Sequence, residues 1–158
     1  MEGREAEISK VLDRLRRLCS RREYCRSDVM KKAMAALDGD AEAAEKVLVT
    51  LTEEKYVDDG RYASAFARDK ASIAGWGEVK IRYMLSAKGV AKDVIDEAMQ
   101  EIDRPKADQR LERLMENKWK ILRDDPQGRL KLIRFALGRG YGYDEVNGLI
   151  DRICRKSS

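Results

Sequence analysis

The chain contains no histidine, and of its 158 residues only two are proline and three are cysteine. Without an imidazole there is no Ser/His or Cys/His nucleophilic pair, and the commonest general base and metal ligand is missing. Cys19, Cys25 and Cys154 are odd in number and lack C-x-x-C spacing, so neither a zinc site nor an extracellular disulfide framework fits, and reduced thiols are expected. Aromatic residues make up 6% of the chain, too few for the aromatic and β-branched runs of a sandwich or barrel. No stretch approaches the ~20 consecutive apolar residues of a membrane span, and Met1-Glu2-Gly3-Arg4-Glu5 has no apolar signal region. The expectation is an all-helical cytoplasmic protein with no cofactor, no membrane association and no small-molecule substrate.

Charge is what the chain has in abundance. Asp, Glu, Lys and Arg make up 39% of it, for a net charge of +4. The distribution is uneven: +4 over residues 1–37, −6 over 38–60, +5 over 61–92, −5 over 93–103, then +4 over 104–123 and +2 over 124–158. A basic block followed by an acidic block, twice over, suggests repeated units whose first parts carry positive charge.

Apolar periodicity predicts three helices per unit. Ile8, Val11, Leu12, Leu15, Leu18 and Cys19 keep the i, i+3, i+4, i+7 spacing of one helix face. Val29, Met30, Ala33, Met34 and Leu37 mark a second helix, and Ala44, Val47, Leu48 and Leu51 a third, capped by Asp40. Asp58-Asp59 precede a helix carrying Ala63, Phe66 and Ala67, and these carboxylates read as caps rather than as a metal site. After Gly75-Trp76-Gly77, the residues Val79, Ile81, Met84 and Leu85 define the next helix. Gly89 supplies its left-handed stop, and Val94, Ile95, Ala98, Met99 and Ile102 the helix that follows. Pro105 opens a helix with Leu111, Leu114, Met115, Trp119 and Leu122 on its face, which Asp124-Asp125-Pro126 ends. Leu130, Leu132, Ile133 and Ala136, a second stop at Gly140, and Val146, Leu149, Ile150 and Ile153 complete the pattern. Arg155-Lys156-Ser157-Ser158 is expected to fray.

A shift of 51 residues places Gly77 on Gly128, Lys80 on Lys131, Gly89 on Gly140 and Asp93 on Asp144, with the apolar positions following. The first unit fits less cleanly, Val29 meeting Ile81 only at a shift of 52. The reading is three tandem three-helix repeats, residues 1–57, 58–103 and 104–158, forming an elongated, curved array, because short helices bury their faces only against neighbours.

Three blocks carry a family resemblance. Tyr56-Val57-Asp58-Asp59-Gly60-Arg61-Tyr62-Ala63-Ser64-Ala65-Phe66-Ala67-Arg68 resembles the Y-L-D-D-x-R-F-A-x-x-F-x-R of the RecX family of bacterial recombinase regulators. The segment from Gly75-Trp76-Gly77 to Lys88-Gly89-Val90 is similar to its G-x-G-x-x-x-I-x-x-x-L-x-x-K-G-I, and Arg134-Phe135-Ala136-Leu137-Gly138-Arg139-Gly140-Tyr141 to its R-F-L-x-R-R-G-F. Two departures are local: Cys25 stands where the family starts a helix with serine, which makes Ser27 the alternative cap, and Met84 replaces a usual glutamate. The resemblance implies a non-enzymatic protein that binds RecA, or the RecA filament on single-stranded DNA, and restrains recombination and repair.

The basic blocks supply the candidate contact residues, arginine above all because its planar fork makes two directed bonds to phosphate or carboxylate. In the first repeat they are Arg16, Arg17, Arg21, Arg22 and Arg26. The second repeat offers Arg61, Arg68 and Lys70, then Trp76, Lys80, Arg82 and Lys88. The third offers Arg129, Lys131, Arg134 and Arg139. Arg61 has an alternative role, capping or bracing its own helix against Asp58, and Trp76 is as well suited to core packing as to a partner; Tyr62 and Phe66 read as core.

A sequence-specific DNA reader is disfavoured because the third helices, which would enter the major groove, are acidic. Non-specific binding of a single strand remains the alternative function, since aromatic and basic residues interleave around Trp76. No G-x-x-x-x-G-K-[ST] loop occurs, and no strand precedes Gly75-Trp76-Gly77, so nucleotide chemistry finds no support. Far-UV circular dichroism should show a chain more than two-thirds helical; a substantial β signal would contradict the all-helical reading.

Overall fold

The computed structural model describes residues 2–155: Arg155, expected to fray, is helical, and the rest of that expectation, Lys156 to Ser158, lies outside the described residues. Nine α-helices occur among them and no strand: α1 Glu2–Arg21, α2 Arg26–Ala36, α3 Ala41–Glu53, α4 Asp59–Ser72, α5 Glu78–Ala87, α6 Lys92–Met99, α7 Arg104–Leu122, α8 Gly128–Gly138 and α9 Tyr143–Arg155. Helix accounts for more than two-thirds of the chain, as expected.

The starts are set by carboxylates. Asp40 accepts the Ala43 N–H at 3.1 Å, Asp58 the Arg61 N–H at 3.0 Å and Asp103 the Lys106 N–H at 3.1 Å, with Pro105 in the first turn of α7. Each such cap stabilises its helix by ~1 kcal/mol. The second carboxylate of the Asp58-Asp59 pair behaves differently from expectation. Asp59 accepts the N–H of Arg26 at 2.8 Å, so it caps the distant α2. That solves the problem posed by Cys25, which occupies the N-cap position of α2 without a side-chain capping bond. Ser27 does not take over as cap: its hydroxyl donates to the Lys88 carbonyl at 2.7 Å.

The stops use left-handed residues. At the end of α5 the Val90 N–H reaches the Leu85 carbonyl at 3.1 Å and the Gly89 N–H that of Ser86 at 2.9 Å, with Gly89 at φ 80. These two bonds make the six-residue helix stop anticipated there. The end of α8 repeats it, Tyr141 to Ala136 at 3.3 Å and Gly140 to Leu137 at 2.9 Å, with Gly140 at φ 96.

Two compact units divide the chain, one of Met1–Ala65 with Leu85–Ile95 and the other of Phe66–Met84 with Asp96–Ser158. In the first, α1, α2 and α3 bury Val11, Leu15, Val29, Ala33, Leu37, Val47, Leu48 and Leu51 together. In the second, α7, α8 and α9 bury Leu111, Met115, Leu132, Ala136, Val146, Ile150 and Ile153. The apolar stripes are narrower than the sequence suggested. Val79 is 58% exposed and Leu130 44% exposed, although both were expected on buried faces. Each lies two residues before the buried residue of its helix, Ile81 or Leu132, and so about 200° round the axis from it.

Glycines at equivalent repeat positions do different work. Gly77 donates its N–H to the Arg139 carbonyl at 2.8 Å and Val79 donates to Gly140 at 2.9 Å, so two main chains of the second unit run against each other. A Cβ on Gly77 would collide with the backbone of Gly140, and one on Gly140 with Lys80, whereas a Cβ on Gly89 meets nothing within 4 Å. Gly89→Ala should therefore cost only the left-handed penalty of about 1 kcal/mol. Gly77→Ala should cost about 1 to 3 kcal/mol, because two backbones must separate, and Gly140→Ala about 1 kcal/mol more for its left-handed backbone. Urea denaturation decides the point; equal losses for Gly89→Ala and Gly140→Ala would refute the distinction.

Candidate partner-binding surface

In the first unit, the C-terminal half of α1 presents Arg17 and Arg21 to solvent with no ion pair among the described residues. Arg16, between them and Asp13, is turned the other way and grips Glu54 through two bonds of 2.9 and 3.0 Å while also reaching Asp13 at 3.0 Å. Those carboxylates raise its pKa further above the ordinary arginine value, Glu54 first. Arg22 lies over the Tyr24 ring, 4.4 Å from its centroid. Arg26 exposes its side chain while its N–H is held by Asp59.

Arg61 braces the unit rather than facing a partner alone. Its guanidinium donates to Glu23 and to the carbonyls of Lys55 and Tyr56 at 3.0 and 3.2 Å, the end of α3. Capping or bracing its own helix against Asp58 was one expectation; the Arg61 N–H does take the Asp58 cap, while the guanidinium braces elsewhere. Lys88 pairs with Asp28 at 2.9 Å.

In the second unit the Gly75-Trp76-Gly77 turn is bound on several sides. The Trp76 N–H donates to the Lys70 carbonyl at 2.8 Å, the Tyr141 hydroxyl to that of Gly75 at 3.1 Å, and Arg139 to that of Ala74. The turn holds the half-buried Trp76 edge-on to Phe66, with ring centroids 6.2 Å apart. The ammonium groups of Lys80 and Lys70 stand over the indole at 4.3 and 4.8 Å. Trp76 is thus both packed and surface-facing. Arg82 bonds Glu78 at 2.9 Å and Asp96 at 2.7 Å, and Arg104 shares Glu78 at 2.8 Å. Arg129 pairs with Asp151 and Lys131 with Asp125, both at 2.6 Å between exposed or half-buried groups. Arg68 and Arg134 are exposed without an ion pair among the described residues.

Comparison with known proteins fits this arrangement of short helices. Residues 58–99 match the family model described as RecX, second three-helix domain, and residues 107–150 match RecX, third three-helix domain. The chain belongs to the RecX family. A regulatory protein RecX of Clostridium botulinum is 38% identical over 115 residues, which cover 70% of this chain and 53% of that protein. Its counterpart in Salmonella paratyphi A is 26% identical over 153 residues, 91% of this chain and 92% of the relative. The chain therefore spans about half the length of the clostridial relative and nearly all of the Salmonella one. The crystal structure of RecX from Lactobacillus salivarius has a TM-score of 0.81 at 20% identity, covering 94% of this chain and 97% of that one, and shows the same fold. Both relatives are regulatory proteins by name.

The RecX motif residues turn out to serve helix ends. Asp58, Asp59, Arg61, Gly77, Gly89, Arg139 and Gly140 all bond or shape a terminus or a turn. Among the described residues no helix is long and apolar enough to cross a membrane. Lys10, Arg14 and Lys32, exposed cations near Arg17, were not singled out by the sequence. The i, i+4, i+7 spacing of Lys10, Arg14 and Arg17 on α1 was the available signal.

The Asp28–Lys88 pair makes a pH prediction. Burial pushes the Asp28 carboxyl up, but hydrogen bonds from Lys88 and Cys25 outweigh it and hold the carboxyl below its usual range. The bond to Asp28 holds the Lys88 ammonium above its usual value against the opposing pull of burial. The carboxylate's contribution is therefore complete above about pH 4 and lost as pH falls through the lower folded pKa. The ammonium's is complete below about pH 10 and lost as pH rises through the higher folded pKa. Asp28→Asn should destabilise by about 1 kcal/mol at pH 7, after discounting the pair's exposure, and by less at pH 2. Thermal melts at the two pH values test this, an equal deficit at both counting against the pair.

Proposed function

We propose that this chain binds the RecA recombinase, or the filament RecA forms on single-stranded DNA, and restrains recombination and repair from within the cytoplasm. The observation that carries the reading is the pair of RecX three-helix domains at 58–99 and 107–150, together with relatives named regulatory protein RecX. The same matches support dividing the chain into repeats at 1–57, 58–103 and 104–158, since each falls within one of them.

The contact residues we favour, within each unit by itself, are the cations without a strong internal partner. Arg17, Arg21, Arg68 and Arg134 are open to a phosphate or carboxylate, and Lys70 and Lys80 stand at the Trp76 ring. Arg129 and Lys131 join them at little cost, because water screens pairs as exposed as theirs. Arg16, Arg61, Arg82, Lys88 and Arg139 are weaker candidates, since each holds two parts of the fold together. Direct, non-specific binding of single-stranded nucleic acid is a second reading, favoured by the lysine-flanked Trp76, to which a base and its phosphate both have affinity.

Titrating the protein into an ATP-hydrolysing RecA filament should lower turnover. Lys70→Glu with Lys80→Glu, or Trp76→Ala, should weaken filament binding roughly tenfold, and the lysine pair should also flatten its salt dependence. Turnover unaffected at saturating protein would overturn the RecA reading, and equal affinity for a bare oligonucleotide and for the filament would favour the second.

A further inference from the structure

Along α1, the residues Glu7, Lys10, Val11, Arg14 and Arg17 line a cavity of about 340 Å³ with Ala36 of α2. Beside it Arg14, Leu15 and Leu18 line another of about 390 Å³ with Lys32, Ala35 and Ala36. Arg14 and Ala36 belong to both, so the two run together as one groove between α1 and α2, within the first unit. From Glu7 to Leu18 it follows α1 for about 16 Å, three helical turns.

The groove has an apolar floor and a cationic rim. Leu18, Ala35 and Ala36 give the floor its accessible apolar surface above the buried Val11 and Leu15, and the two alanines keep the α2 wall low enough for a second backbone to approach. Lys10, Arg14, Arg17 and Lys32 stand against a single acid, Glu7, which Arg4 already holds at 2.8 Å. Lys10, Arg14 and Arg17 have no ion pair among the described residues, whereas Arg4, Arg16, Arg61 and Lys88 of the same unit are all paired. Like charges gathered without a counter-charge repel one another, and a ligand that brings carboxylates removes that repulsion.

We infer that this groove docks a short acidic amphipathic helix of a partner protein. An extended strand has no sheet edge to join among the described residues. A nucleic-acid strand would use the rim alone, since no aromatic residue lines the groove for a base to stack on, and the Tyr24 ring near Lys32 already carries Arg22 at 4.4 Å. A helix with leucines at i, i+4 and i+7 and glutamates on both flanks uses floor and rim together. The inference goes beyond the proposed function, because it needs neither a recombinase nor DNA, and of the rim cations only Arg17 is among those favoured there.

The probe is a fluorescein-labelled peptide of about 14 residues with that leucine and glutamate pattern, titrated with the whole protein and followed by anisotropy. Binding should weaken as salt rises, fall at least tenfold or so in the Lys10→Glu, Arg14→Glu, Arg17→Glu variant, and fall likewise in Ala35→Trp, which fills the groove from an exposed position without removing a charge. Peptides with leucine changed to serine or glutamate to glutamine should bind more weakly than the parent, and circular dichroism checks that each variant is folded. No binding of the parent peptide, or binding unchanged in Ala35→Trp, overturns the proposal. An oligothymidylate that binds and loses its affinity in the charge variant while the peptide does not bind overturns it in favour of nucleic acid. Self-association of the wild type that Ala35→Trp abolishes, with no peptide binding, overturns it in favour of a second copy.

Discussion

Short helices are mostly ends. A helix leaves four N–H groups and four carbonyls without internal partners, and helices here are as short as the eight residues of α6. Much of the backbone must therefore be satisfied by something outside its own helix, and the means used explain where many charged residues sit. Carboxylates take the starts, Asp40, Asp58 and Asp103 locally and Asp59 from a distance. Guanidinium groups take the stops: Arg61 at Lys55 and Tyr56, Arg110 at Ala71, and Arg139 at Ala74. The sign follows the helix dipole, positive at the start and negative at the end.

That demand splits the basic residues into two populations. Arginines engaged at carbonyls or in paired carboxylates are tied to the fold, and a partner can use them only by breaking something. Those left over, on the outer face of α1 and around Trp76, carry unneutralised charge toward solvent. Net charge by segment cannot tell the two apart, since Arg16 and Arg17 are neighbours in sequence and opposites in role: one grips Glu54, the other none among the described residues.

Repetition in sequence is likewise not repetition of environment. Asp38 stands 51 residues before Gly89 and, at φ 55, takes the same left-handed conformation. The N–H of Gly39 then reaches the Met34 carbonyl at 2.8 Å to close the stop. The buried residues Val29 and Ile81 are 52 apart, however, so α2 carries one more residue than α5 between its buried face and its stop. The extra residue explains why no single shift aligns the first repeat. Gly89 and Gly140 share a backbone conformation too, yet one faces open space and the other a neighbouring main chain.

The helical class, the nine elements, the caps at Asp40 and Asp58, the left-handed stops at Gly89 and Gly140 and the RecX resemblance were legible in the sequence alone. Each rests on interactions among residues a few positions apart, where 3.6-residue periodicity and residue type determine the outcome. The tertiary structure decided the cap that Asp59 provides for α2, the hydroxyl of Ser27 at Lys88, the exposure of Val79 and Leu130, and the separation of engaged from free arginines. It alone also brought Lys10, Arg14 and Arg17 together with Lys32 and Ala36 as one groove. These depend on which groups from distant parts of the chain arrive within about 3 Å of one another, and a hydrogen bond or ion pair loses its strength too steeply with distance and angle for spacing along the chain to specify it.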